Sequence, residues 1–146
     1  MQIVGEWFVC SDGVGRPTVR GKVQAADGSL QATRFLIDSG ADCTVFSAEL
    51  LGRLQWAGHP GPAGVALQGI GGGNAYVVVA TLVELTADDG TPAHIRGPYA
   101  AFTDPAATDL SILGRDVLNN FDLILSRPRN EILILAGNHQ YVVQKP

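Results

Sequence analysis

The stretch FLIDSGADCTVF, residues Phe35 to Phe46, sets one acidic side chain between two β-prone runs. Phe35-Leu36-Ile37 ends at Asp38, and Thr44-Val45-Phe46 resumes the apolar pattern after Ser39-Gly40-Ala41. Short apolar runs separated by Ser-Gly predict two buried strands joined by a tight reversal. Asp38 then stands at the mouth of the turn, held rigidly and with part of its hydration removed. Gly40 can adopt backbone angles closed to other residues, which would let Asp38 approach another backbone or a ligand. This acid is the candidate for chemistry.

Upstream, Thr18 to Ala25 and Leu30 to Ile37 flank Asp27-Gly28, a pair that favours a two-residue hairpin turn. Residues 2 to 10 are strand-like, and Gly13, Gly15 and Pro17 mark a loop after them. Downstream, Ser47 can cap a short helix through Leu54, with Glu49 suiting its positive end. Gly58 to Gly64 reads as a loop. Val65 to Gln68 and the β-branched run Tyr76 to Leu85 enclose Gly69-Ile70-Gly71-Gly72-Gly73, which predicts a hairpin with a mobile tip. Asp88-Asp89-Gly90, a solvated turn, leads to a strand around Ala93 to Phe102, then to a polar loop over 103–109. Ser111 to Leu113 is a short strand running into Gly114-Arg115-Asp116, where a helix through about Phe121 starts. Ile124-Leu125 and Ile132 to Leu135 form a hairpin about residues 127–130, and Tyr141 to Val143 a last strand. The expected fold is mostly β, one closed barrel-like domain over residues 1–146 with one or two short helices.

Composition narrows the function classes. The 146 residues suffice for one core without disulfide staples. Charged residues make up 16% and mean hydropathy is +0.16, an apolar surplus that reads as core plus a subunit interface. No run approaches the ~20 apolar residues of a membrane span. MQIVGEWFVC lacks the features of an export signal, and Cys10 and Cys43 form no disulfide framework, so cytoplasmic residence is the default. A net charge of −4 without a basic stripe argues against nucleic acid. His59, His94 and His139 lack metal-ligand spacing, so no metal site is expected. Cys43 reads as a small core residue, and Trp7 and Trp56 as core or interface. Gly69 to Gly73 lacks the Lys-Ser/Thr and the helix of a nucleotide-binding loop.

Three stretches occur in order: Asp38-Ser39-Gly40-Ala41-Asp42, the Gly69-Ile70-Gly71-Gly72 hairpin tip, and Ile112-Leu113-Gly114-Arg115-Asp116. A lone D-S-G is weak, but the three together resemble the retropepsin family, single-domain aspartic proteases of retroviruses with relatives in bacteria and eukaryotes. The resemblance spans about residues 30 to 125. It implies an acid-protease barrel that hydrolyses peptide bonds with water held between two aspartates, using no metal and no organic cofactor. Ser39 would brace the active-site loops across a two-fold axis, and Gly40 would admit the substrate backbone, with Ala41 completing the motif. Gly69, Ile70, Gly71 and Gly72 would form a flap, and Arg115 would pair with Asp42. Family members often end soon after the helix following I-[IL]-G-R, with their termini interleaved into a sheet across the dimer. Here about 25 residues follow Phe121, so a different surface is open to dimerisation.

No second D-[ST]-G occurs in the chain, since Ser11-Asp12-Gly13 has the wrong order. A pair of aspartates therefore calls for a homodimer, with its two-fold axis between the two Asp38 side chains. The expected activity is that of an aspartic endopeptidase on peptide or protein substrates. The rival reading is a catalytically silent barrel that binds peptides or dimerises.

Overall fold

The computed structural model describes residues 1–56, 59–60, 67–69, 72–137, 142 and 144. In chain order its elements are β1 (Gln2–Val4), β2 (Glu6–Val9), β3 (Gly15–Gln24), β4 (Leu30–Ile37), β5 (Val45–Phe46), α1 (Ala48–Leu54) and β6 (His59–Pro60). There follow β7 (Leu67–Gly69), β8 (Gly72–Asn74), β9 (Tyr76–Thr86), β10 (Pro92–Phe102) and β11 (Ser111–Leu113). The last are α2 (Arg115–Leu118), β12 (Asp122–Ser126) and β13 (Glu131–Leu135). Strands β3, β4, β11, β5, β10 and β9 are hydrogen-bonded in that order, and β9 returns to β3. The ring is a closed barrel, mixed because β4–β11 and β5–β10 are parallel and the other pairs antiparallel. Closure leaves these six strands no free edge. The mostly β barrel expected from the sequence is borne out.

The interior follows from strand alternation. Phe35, Phe46 and Tyr99 pack ring on ring, with centroids 6.4 Å and 5.4 Å apart. Val19, Val23, Leu85 and Leu113 fill the space around them. Burial pushes the Tyr99 phenol up to about 12, so it stays a donor, and its hydroxyl donates to the Ile95 carbonyl at 2.7 Å. Trp7 and Trp56 are partly buried against this core. Ser47 caps α1 as expected, its Oγ accepting the Leu50 N–H at 3.2 Å.

Several local expectations change. Residues 2 to 10 form two strands, divided at Gly5. A Cβ there would lie 2.5 Å from the Thr18 carbonyl and 2.6 Å from Ile132 Cγ2, so the chain leaves the small sheet where only glycine fits. Gly15 and Pro17 belong to β3 rather than to a loop. Pro17 sits opposite Trp7, before β4 begins to pair at Thr18, so its missing N–H costs no bond on that side. The Asp27-Gly28 hairpin is wider than a two-residue turn. The Gly28 N–H reaches the Ala25 carbonyl and the Ala25 N–H the Ser29 carbonyl, with Gly28 left-handed at φ +86°. Cys10–Val14 and Ala87–Thr91 repeat this pattern, each with Asp before a left-handed Gly. In all three the Asp carboxylate accepts the N–H two residues on. The second helix ends at Leu118, not near Phe121. Within the expected loop Gly58 to Gly64, His59–Pro60 instead form β6, paired with β9; Gly58, Gly61 to Gly64, Val65, Ala66, His139, Tyr141 and Val143 lie outside the described residues.

His94 lies exposed on β10. Lys22, Glu84 and His94 lie opposite one another across β3, β9 and β10, where the barrel closes. Glu84 is 7% exposed; His94 Nε2 lies 2.8 Å and Lys22 Nζ 3.1 Å from its carboxylate. The hydrogen bond from His94, then that from Lys22, hold the Glu84 carboxyl below the usual carboxylate range. A depressed folded-state value stabilises the fold above the unfolded value, near 4.5, and the gain is lost as pH falls through the folded value. Glu84→Gln is therefore expected to lower the melting temperature most above that pH, with the difference shrinking at more acidic pH. Thermal scans of both proteins across the acid range test this, and a constant gap would refute it.

Candidate active site

Asp38 emerges from the end of β4, where β4 runs parallel to β11 with Ile37 opposite Leu113. Its N–H donates to the Leu113 carbonyl at 3.1 Å, and its carbonyl accepts the Ala41 N–H at 3.1 Å. The carboxylate Oδ1 accepts the Gly40 N–H at 3.0 Å. The turn is thus fixed to the neighbouring strand, with Asp38 half-buried and Ser39 and Gly40 exposed. Gly40 is not among the residues with positive φ, so the expected special backbone angle is absent. What it supplies is closeness: a Cβ there would sit 3.2 Å from Asp38 Oδ1.

The far end of the loop is clamped by the segment after β11. Thr44 is fully buried, and its N–H and Oγ1 donate to the Asp116 carboxylate at 2.9 Å and 2.7 Å. Thr44 Oγ1 accepts the Gly114 N–H at 3.0 Å. The Arg115 N–H donates to the Ala41 carbonyl at 2.9 Å, and Ser111 Oγ accepts the Ser47 N–H at 2.9 Å. Asp116 closes the third of the stretches that carry the resemblance, but nothing in the sequence pairs it with Thr44. The one available signal was an acid in the first turn of a helix directly after G-R.

Arg115 and Asp42 do form an ion pair. Their side chains are 49% and 84% exposed, so the pair lies in solvent and breaking it strands no buried charge. An exposed pair contributes about 0–1 kcal/mol. The clamp is Asp116, and Arg115 acts in it through its backbone.

Cys43 is half-buried at the border of a small cluster of Val45, Ala100 and Phe102. Burial, then the Asp116 and Asp42 charges, push its thiol above the ordinary value, leaving little reactive thiolate. β7 and β8 pair as a hairpin through Gly69 opposite Gly72; Ile70 and Gly71 lie outside the described residues. A cavity of about 530 Å³ lies elsewhere, lined by residues including Arg20, Lys22 and Arg34 and by none from the Asp38 turn. Among the described residues no three His, Cys, Asp or Glu side chains gather in a metal-binding cluster, and no helix is long and apolar enough to cross a membrane.

A family model described as aspartyl protease matches residues 19–117. The chain belongs to the aspartyl protease family. The matched span of this aspartyl protease runs from β3 into α2 and takes in the Asp38 turn, the β7–β8 hairpin and the Gly114–Asp116 clamp. A retropepsin-like aspartic protease from Rickettsia conorii shares the fold, with a TM-score of 0.61 at 14% identity over 92% of this chain and 90% of that one. EIAV protease complexed with the inhibitor HBY-793 matches at 27% identity and a TM-score of 0.47, over 71% of this chain and 86% of that chain. No curated protein matches. The retropepsin resemblance read from the three stretches is borne out, and aspartic peptidase activity in general follows from family and fold.

Proposed function

We propose that the protein is an aspartic endopeptidase whose two catalytic carboxylates are the Asp38 side chains of a homodimer. The observation that carries this reading is a half-buried carboxylate on a turn clamped at both ends, in a chain with only one such D-S-G. Two carboxylates about 3 Å apart repel by roughly 5 kcal/mol at an effective dielectric of 20, so the pair holds one proton near neutrality. The protonated member donates to the scissile carbonyl, and the ionised member takes a proton from the attacking water. The proton belongs to the pair and not to either subunit.

Ser39 sits exposed at the turn, where its hydroxyl would brace the two loops across the axis. The Gly69–Gly72 hairpin, with Ile70 and Gly71 at its tip, would act as the flap that closes over substrate. An extended peptide of about six to eight residues would lie beneath it as an added strand. Neither metal nor organic cofactor is required by this chemistry.

The test is hydrolysis of a peptide library across pH with a statine-type inhibitor as control. Activity is expected to be bell-shaped with an acidic optimum, because only the singly protonated pair is competent. A profile flat from about pH 4 to 8 would exclude a shared-proton pair.

A further inference from the structure

Three of the chain's ten lysines and arginines, Arg20, Lys22 and Arg34, meet in one notch, the cavity of about 530 Å³. Residues 15–18 of β3 pair with β2 and residues 21–23 with β9, so Val19 and Arg20 pair with β4 alone. The barrel wall forks there, and Val4, Ala32 and Thr86 complete the lining around the three cations. Strand alternation turns Val19 and Val23 inward and Arg20 and Lys22 outward.

Arg20 lies directly opposite Arg34 of β4. Like charges so opposed repel, so the pair adds nothing to stability by itself. Both guanidiniums donate to the same oxygen, Glu6 Oε1, Arg20 through Nε at 3.2 Å and Arg34 through Nη1 at 2.6 Å. Among the described residues nothing accepts from the Arg20 Nη groups or from Arg34 Nη2. Arg34 is held in place: its side chain is 21% exposed, and its guanidinium lies 3.8 Å over the Phe8 ring. Arg20, 76% exposed, is free to close over a guest. A planar guanidinium fork matches a carboxylate two bonds at a time.

The charge of the notch selects the guest. Glu84 is shared by Lys22 and His94 and Glu6 by the two arginines, so three cations face two carboxylates and one positive charge is left over. One carboxylate balances it. A phosphate dianion would have to draw Lys22 away from Glu84, a buried acid that would lose a partner. Exposed Val4 and Ala32 offer methyl groups to the stem of an acidic side chain. We infer that the notch is an exosite for an acidic segment of a polypeptide substrate, with a Glu or Asp carboxylate gripped between Arg20 and Arg34.

The inference rests on the endopeptidase reading for its substrate, but binding at the notch needs no turnover. β4 runs from Arg34 towards Asp38 over four residues, about 13 Å of strand. An extended chain advances at most about 3.5 Å per residue, so the acid stands at least about four residues from the scissile bond. Recognition at the notch would therefore favour acidic proteins without changing the preference at the cut.

Asp38→Asn protein separates binding from cleavage. By fluorescence anisotropy it is expected to bind a labelled Glu-rich peptide, and to bind the same peptide with every Glu replaced by Gln at least about tenfold more weakly. The affinity should fall between about 50 and 500 mM salt. Arg20→Glu leaves Arg34 on Glu6 and should weaken the Glu-rich peptide about tenfold; Arg20→Gln replaces it if a second acid beside Glu6 disturbs the fold. Arg129→Glu, exposed in the turn after β12, makes the same change of net charge and should have no effect. In wild type, a Glu-rich extension on a cleavable peptide should lower KM about tenfold with kcat unchanged, and Arg20→Glu should remove that advantage without slowing the plain peptide. Equal binding of the Glu and Gln peptides, or wild-type binding by Arg20→Glu, would overturn the exosite and leave the Asp38 reading intact. Inorganic phosphate displacing the peptide at equal concentration would mark a small-anion site and also overturn it. Arg20-dependent binding beside a wild type that hydrolyses no peptide would uphold the acidic-segment site and refute the endopeptidase.

Discussion

Asp38→Asn is expected to abolish peptide hydrolysis while leaving fold and assembly intact. An asparagine keeps the side-chain oxygen that accepts the Gly40 N–H at 3.0 Å, and it fits the same half-buried space. The stability change should stay within about 0.5 kcal/mol. Turnover is another matter, because the amide can neither take a proton from water nor give one to the carbonyl. Both partners of the pair are altered at once, so acid and base are lost together, a fall of at least about 10⁴-fold. Mixing the variant with wild type gives a sharper readout. If each site takes one Asp38 from each chain, an equal mixture that re-equilibrates retains about one quarter of the activity of the same total amount of wild type. Retention of one half would mean that each chain carries its own complete site, and the pair would be refuted.

The sequence exposed those parts of the structure that are local. The Asp38 turn, the Ser47 cap and the long strands around residues 76–86 and 92–102 are written in adjacent residues, so periodicity and turn chemistry reveal them. The three Asp-Gly turns were visible as turns but not in width. Asp-Gly suits a two-residue loop, and it equally suits a wider one in which the glycine alone is left-handed, as found at Gly13, Gly28 and Gly90. The clamp was hidden for a different reason. Asp116 meets Thr44 across 72 positions, and neither residue has a local pattern to distinguish it from an exposed helix acid or a strand threonine. The in-chain pairing of β1 with β13 was equally unreadable, since it joins the two ends of the described fold. Arg115 drew attention for its charge, yet its guanidinium is exposed and its backbone N–H makes the structural contact.

Gly114→Ala is expected to be the most damaging single-methyl change near the site. A Cβ at this position would lie 2.4 Å from the Cys43 carbonyl carbon, 2.5 Å from its oxygen and 2.9 Å from the Thr44 nitrogen. All three are backbone atoms of the loop that carries Asp38, so no side chain can swing aside to make room. The two segments must separate, and the bonds between them stretch together: Gly114 N–H to Thr44 Oγ1, Asp38 N–H to Leu113 and Arg115 N–H to Ala41. Thr44 is fully buried, so water cannot readily replace what it loses. A stranded buried polar group costs about 1–3 kcal/mol; with the steric strain the total should reach about 3–5 kcal/mol. In a domain of this size that lowers the melting temperature by about 10 °C. Gly52 on α1 is the control, since nothing lies within 4 Å of a Cβ there and Gly→Ala in an exposed helix gains up to about 1 kcal/mol. Thermal unfolding of the two variants should move in opposite directions. If Gly114→Ala melts with the wild type, the clamp yields without cost and cannot be what holds Asp38 in place.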